Sequence, residues 1–300
     1  MPSYAMVAIT PEGETYADDA AYYIASSKAP VAWSEPKCLA EDEAYEVTFE
    51  SDAELARDMR DRLAEAFQEW PLDLCLVPTA HRRKRLLIAD MDSTIIQQEC
   101  IDEMADVLGL KPRIAAITER AMRGELPFED ALRERLALLA GIGEAQLLEV
   151  FEKRVTLMPG AKTLVATMTA NGARTALVSG GFTFFTSRVA KAVGFAENHA
   201  NTLEVVDGKL TGRVVGPILG REAKLANLER LRGALGLASA ETLAVGDGAN
   251  DLDMIRAAGL GVAYRAKPIV AKEAHASITH GDLTALLYLQ GYTKEEFVGV

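Results

Sequence analysis

The sequence predicts an α/β protein whose parallel sheet is interrupted by a helical insertion and preceded by a separate α+β unit. Three observations predict it. Two short apolar runs without polar alternation, Leu86 to Ala89 and Thr242 to Gly246, each end next to an aspartate, as central strands covered on both faces do when a site lies at their carboxyl ends. Residues 101–155, between those runs, read as a succession of short helices. Ahead of them, residues 1–80 alternate strand and helix in the order βαββαβ, with an acidic bias.

Taken in order, Tyr4 to Thr10 predicts a strand, Thr15 to Ser27 a helix, Val31 to Leu39 and Ala44 to Glu50 two strands, Asp52 to Trp70 an amphipathic helix and Leu72 to Val77 a last strand. That order suggests a ferredoxin-like sandwich, and the layout resembles the small ACT-like domains that bind amino acids on metabolic enzymes. The likeness is one of pattern. No residue motif in 1–80 names a ligand, so a packing unit or a homodimer interface fits the same pattern. The basic run His81 to Arg85 that follows reads as a solvated linker.

Arg85 to Ile96, RLLIADMDSTII, begins the second unit. Open parallel sheets bind ligands beyond the carboxyl ends of their strands, which places Asp90 and Asp92 in a crevice. Two residues of extended chain span roughly 7 Å, so both carboxylates can serve one phosphate in separate tasks. Asp90 suits attack on phosphorus, and Asp92 suits proton transfer to the leaving oxygen and from water. A carboxylate nucleophile is repelled by a phosphate dianion unless a cation intervenes, and Mg²⁺ accepts such hard oxygen ligands.

Four helices are expected next, Ile101 to Leu108, Pro112 to Met122, Pro127 to Ala140 and Gly143 to Lys153, with prolines near first helical positions and Gly109, Gly124 and Gly141 as breaks. An insertion at this point is placed to act as a lid. Glu99, near the exit from the sheet, and Arg135, on PFEDALRERLALL, are either a surface charge pattern or a substrate-reading pair in which Glu99 accepts from an ammonium group and Arg135 donates to a carboxylate.

The α/β pattern then resumes with a helix from Gly160 to Asn171 and a strand from Arg174 to Val178, which runs into Ser179, Gly180 and Gly181. Small residues let backbone amides approach an anion, and the helix from Phe182 to Val193 aims its positive end there. Asn201 to Val206 and Lys209 to Val214 flank Asp207-Gly208, the preferred pair for a tight hairpin turn, and form either a flap or a decorated edge. Lys224, in REAKLANLERLRGAL, is either a solvent-facing lysine or a cation for the transferring phosphoryl group. In TLAVGDGANDLDM, Asp247 reaches the metal from a second strand, and Asp251 is placed in a helical first turn favoured by the dipole. Gly259 to Ala263 and Ala276 to Thr279 complete the sheet.

DMDST, VSGG, a lysine and GDGAND, in that order, resemble the haloacid-dehalogenase (HAD) superfamily of aspartate-nucleophile phosphatases. Within it, the segment from ECIDE through FEDALRERLALL is similar to the phosphoserine phosphatases, over roughly residues 85–290. The resemblance implies a Rossmann-like HAD core (85–98 and 157–300), a helical cap (99–156) and the separate domain 1–80. It implies Asp90 as nucleophile and Asp92 as acid/base. Mg²⁺ is then held by Asp90, the Asp92 carbonyl and Asp247. Ser179, Gly180 and Lys224 bind the phosphoryl group, Asn250 orients it and Asp251 supports Lys224 or the metal's water shell. Glu99 and Arg135 match recognition of the amino and carboxylate groups of phosphoserine, with Met122 and Phe128 lining the pocket.

The function expected is Mg²⁺-dependent hydrolysis of O-phospho-L-serine, the last step of serine biosynthesis. Action on another small phosphomonoester such as phosphohomoserine, or phosphoryl transfer to a second alcohol, uses the same intermediate. A ligand-binding regulator with a vestigial core has no use for both a nucleophile and an acid/base. The 300-residue chain, 49% hydrophobic with a net charge of -12, is expected to bind neither nucleic acid nor anionic membrane. Cys38, Cys75 and Cys100 make no CxxC pair, and with no membrane span or leader a cytoplasmic location is expected.

Overall fold

The computed structural model describes residues 1–123 and 125–299, with Met122 described by its backbone alone; the expected helix break at Gly124 lies outside the described residues. The first unit comprises β1 (Ser3–Ile9), α1 (Tyr16–Ser26), β2 (Lys37–Ala40), β3 (Ala44–Glu50), α2 (Ala53–Ala66) and β4 (Asp73–Pro78). Its strands form an antiparallel sheet in the order β2-β3-β1-β4, as in a ferredoxin-like sandwich.

Two elements here are shorter than expected. Residues 31–36 lie beside β3, where the Ser34 amide donates to the Thr48 carbonyl at 2.8 Å, but Pro36 has no N–H and the regular strand begins at Lys37. The second helix is capped by Asp52, whose carboxylate accepts from the amides of Glu54 and Leu55. It stops at Ala66 rather than Trp70. Pro71 disfavours helical geometry in the residue before it, and Phe67 and Trp70 turn to pack on each other with ring centroids 5.1 Å apart.

The second unit is built from β5 (Leu86–Ala89), α3 (Cys100–Val107), α4 (Lys111–Met122), α5 (Phe128–Leu138), α6 (Glu144–Arg154), α7 (Ala161–Ala170), β6 (Arg174–Phe182), α8 (Thr183–Val193), β7 (Glu197–Val206) and β8 (Lys209–Val215). It continues through α9 (Arg221–Ala234), β9 (Thr242–Gly246), α10 (Leu252–Ala257), β10 (Leu260–Tyr264), α11 (Pro268–Glu273), β11 (Ala276–Ile278) and α12 (Ala285–Leu289). The sheet order is β11-β10-β9-β5-β6-β7-β8. All neighbours are parallel except β7 and β8.

That order has one functional consequence. From β5 the chain builds outward through β6 and β7, then returns to build the other way through β9, β10 and β11, so the direction reverses between β5 and β9. A crevice opens at such a reversal, beyond the carboxyl ends of the strands. Asp90 follows β5 and Asp247 follows β9. Helices α3 to α6 lie between two strand connections laced at their neck, where the Met158 amide donates to the Ile95 carbonyl at 2.8 Å and the Gln97 amide to the Thr156 carbonyl at 3.0 Å.

The basic run after β4 is not the solvated linker its charge suggests. Arg82 pairs with the buried Glu46 at 2.5 Å and donates to the carbonyls of Leu289 and Tyr288. Lys84, only 8% exposed, donates to the carbonyls of His81 and Ala240. Arg83 and Arg85 pair with Glu296 and Glu241. Each cation finds an acceptor from the core or from the first sheet, so the run docks the two units together. Among the described residues no helix is long and apolar enough to cross a membrane.

Candidate active site

The strand β5 is wholly buried and delivers Asp90 into the crevice at 4% exposure. Its carboxylate meets the ammonium of Lys224 at 2.7 Å. Lys224, on α9 and 1% exposed, also meets Asp251 at 2.6 Å, so it is not the solvent-facing lysine that its charged helix allowed. Burial opposes the charge on Lys224, but Asp251 and Asp90 outweigh it and raise its pKa. Asp251 has its second oxygen engaged by the Gly248 amide at 3.0 Å.

Asp92 is gripped at both oxygens. One accepts from the Cys100 amide at 2.8 Å, at the start of α3, and the other from the Ser179 hydroxyl at 3.2 Å. Burial, then the charges of Glu99 and Asp90, push its pKa up to about 7. Ser179 ends the regular part of β6, whose register against β7 shifts between Val178 and Phe182, and its hydroxyl accepts from the Gly181 amide at 2.8 Å. A side chain at Gly181 would put Cβ 2.9 Å from an Asp92 oxygen. The sharp bend is possible only for glycine without displacing Asp92.

Asp247, at the end of β9, lies beside the Thr94 hydroxyl; burial, then Asp90 and Glu99, push its pKa up to about 6. Asp90, Asp247 and Asp251 each bring a carboxylate oxygen within 4.8 Å of the others. Because Asp251 is already committed to Lys224 and Gly248, Asp90 and Asp247 are the pair open to a cation. An all-oxygen, net-negative set of this kind fits a hard divalent ion.

Above these groups the insertion closes a cavity of about 440 Å³, lined by Asp90, Asp92, Ser179, Gly180, Asp247 and Asn250 from the core and by Glu99, Phe128 and Arg135 from the cap side. Phe128 opens α5 and leans over the phosphate-loop candidates: a Cβ at Gly180 would lie 3.4 Å from its ring and one at Gly220 3.3 Å. Arg135, half-buried, faces the cavity. Its guanidinium donates to the Ala131 carbonyl at 3.2 Å. Glu99 accepts from Ser93, which holds a positive φ of 55°. The side chain of Met122 lies outside the described residues.

Among the polar side chains of the lining, sequence reasoning missed Lys267, Asp102 and Thr118. Lys267 lines the cavity just after β10; it could have been found, since it too follows the carboxyl end of a parallel strand. Asp102 and Thr118 line it from α3 and α4; nothing local marks them.

A model of the haloacid dehalogenase-like hydrolases matches residues 87–256. A curated phosphoserine phosphatase of Streptomyces coelicolor is 45% identical over 79% of this chain; the chain spans little more than half of that relative, 58% of its length. A phosphoserine phosphatase of Polaromonas is 47% identical over 68% of this chain and 89% of its own length. The crystal structure of a HAD family hydrolase from Salmonella enterica serovar Typhi superposes with a TM-score of 0.83 at 32% identity, covering 95% of this chain and 98% of that one. The chain belongs to the haloacid dehalogenase-like hydrolases and, within them, to the phosphoserine phosphatase family.

Proposed function

We propose that this protein hydrolyses O-phospho-L-serine to L-serine and phosphate with Mg²⁺, as the last step of serine biosynthesis in the cytoplasm. The observation that carries the reading is a single cavity with a phosphate end, Asp90, Ser179 and Gly180 with Lys224 paired to Asp90 from beneath, and a zwitterion end, Glu99 and Arg135. A carboxylate and a guanidinium lining one cavity complement an amino acid's own charges. The curated relatives described above bear the same activity in their names.

In this reading Asp90 attacks phosphorus while the bond to the serine oxygen breaks, and Asp92 gives that oxygen its proton. Water then attacks the aspartyl phosphate, Asp92 takes a proton from it, and the bond between phosphorus and Asp90 breaks to release phosphate. Lys224, held by Asp90 and Asp251, is fixed beside the charge of the transferring group before substrate arrives. Ser179 and the Gly180 backbone hold the phosphoryl oxygens, and Asn250 orients them. Asp90, Asp247 and the Asp92 carbonyl would hold Mg²⁺, which when bound offsets the repulsion between carboxylates and phosphate. Asp251 does not need to join them.

The test is phosphate release from L-phosphoserine and from p-nitrophenyl phosphate, with Mg²⁺ and with chelator, for the parent and for Arg135→Ala. The parent is expected to need Mg²⁺ and to prefer phosphoserine. Losing the bidentate contact should lower kcat/KM on phosphoserine by about 10²-fold, since a hydrogen bond to a charged group contributes about 1.5–3 kcal/mol. Equal rates on both substrates, indifferent to the Arg135 change, would leave a phosphatase but discard phosphoserine.

A further inference from the structure

The β7–β8 hairpin is joined to the phosphate loop at its root and to the cap at its arm. At the root, the buried Asn201 donates to the Gly180 carbonyl at 2.8 Å and accepts from the Leu219 amide at 2.7 Å. It thereby ties the phosphate loop to the segment that leads into α9 and Lys224. Along the arm, β8 makes a backbone seam with the loop between α5 and α6. The Gly141 amide donates to the Leu210 carbonyl and the Leu210 amide to the Ile142 carbonyl, both at 2.8 Å, and the Glu144 amide donates to the Gly208 carbonyl at 3.2 Å.

Beyond that seam β8 touches the recognition helix itself. Gly212 has a φ of +83°, and a Cβ there would lie 3.0 Å from the Leu136 carbonyl oxygen, 3.1 Å from the Ala137 Cα and 3.2 Å from the Ala140 Cβ. Strand backbone therefore rests on helix backbone one residue from Arg135. Leu210, 4% exposed, belongs to the same buried apolar cluster as Leu136, Leu139 and Ile142. The hairpin extends the core sheet through β7, so its distance from α5 helps to set how far Arg135 stands from the phosphate loop.

We propose that Gly212 is a specificity-determining position: by letting β8 press against α5 it sets the span between the phosphate site and Arg135, and so the length of substrate accepted. This rests on the reading that Arg135 receives the substrate carboxylate. A side chain at 212 must move α5 and β8 apart by a few tenths of an ångström, because the atoms it meets are mostly backbone, and the positive φ adds backbone strain within β8. A substrate as short as phosphoserine then loses its reach to Arg135, whereas a phosphomonoester without a carboxylate loses nothing at that end.

The test is steady-state kinetics of Gly212→Ala on L-phosphoserine and p-nitrophenyl phosphate, alone and combined with Arg135→Ala. The expected result is a fall of about tenfold or more in kcat/KM on phosphoserine, carried by KM. The p-nitrophenyl phosphate value should change less than about threefold, and Gly212→Ala should add little once Arg135 is gone. Glu144→Pro is the second variant, for use should the first fail to fold. It removes the amide bonded to Gly208 at the first residue of α6, where proline is tolerated, after a Gly143 already extended at ψ 155°. The same selective loss, smaller, is expected. A parent that depends on Arg135 but loses both substrates equally in these variants, or additive effects in the double variant, overturns the inference alone. A parent indifferent to Arg135 overturns the substrate reading and this inference with it.

Discussion

Lys224 is buried with two carboxylates, and the two are not equivalent. Asp90 faces the cavity, while Asp251 is fully buried and also holds the Gly248 amide. Asp90→Asn leaves Lys224 with one charged partner and a neutral hydrogen-bonding one, so the fold should survive while the nucleophile is lost. Phosphate release should fall to background with an unchanged circular dichroism spectrum. Asp251→Ala instead strips a buried cation of a partner and orphans an amide, which should cost about 3 kcal/mol of stability, read from urea unfolding. An active Asp90→Asn protein would overturn the nucleophile assignment, and an Asp251→Ala protein as stable as the parent would show that the ammonium finds another partner.

At the scale of elements, the end of β6 decides where chemistry can happen. The strand breaks register between Val178 and Phe182, and there the Ser179 hydroxyl, itself held by the Gly181 amide, reaches Asp92. Gly181→Ala would place a methyl group against the Asp92 carboxylate and the Ser179 hydroxyl, at 2.9 and 3.0 Å. Because the displaced groups serve every phosphomonoester, kcat should fall by about tenfold or more on phosphoserine and on p-nitrophenyl phosphate alike; a fall on one alone would mean that the loop reads the substrate beyond its phosphate. The strand-end aspartates, the serine before two glycines and the hairpin turn were legible in sequence because each is specified by its neighbours. Asp207 and Gly208 both hold the positive φ that the turn requires. Asn201, Gly212 and Lys84 were not legible. Their partners are Gly180, Leu136 and Ala240, far along the chain or on another element, and only the closed fold brings each pair together.

At the scale of the molecule, the first sheet is joined to the core too closely to act as a free sensor. One face, with Met6, Ala8 and Val47, packs under α1 and α2. The other, with Ala5, Val7, Ile9 and Cys75, joins the same apolar cluster as Leu283, Ala285 and Tyr288 of the core. Both faces are therefore occupied, and what this unit leaves open is the outer side of its helices and the β2 edge. Between the sheets, Asp73 accepts from the amides of Thr279, His280 and Gly281 at 2.8 to 3.2 Å. The two tryptophans, Trp33 and Trp70, both lie in this first unit, whereas phosphate release reports the core. If the units share one core they should unfold together: in urea the tryptophan fluorescence and activity curves should coincide, and Asp73→Ala should move both by the same amount, about 1–3 kcal/mol for amides left without an acceptor. A fluorescence transition that precedes the loss of activity would instead make the first unit autonomous, with its contacts to the core too weak to couple the two.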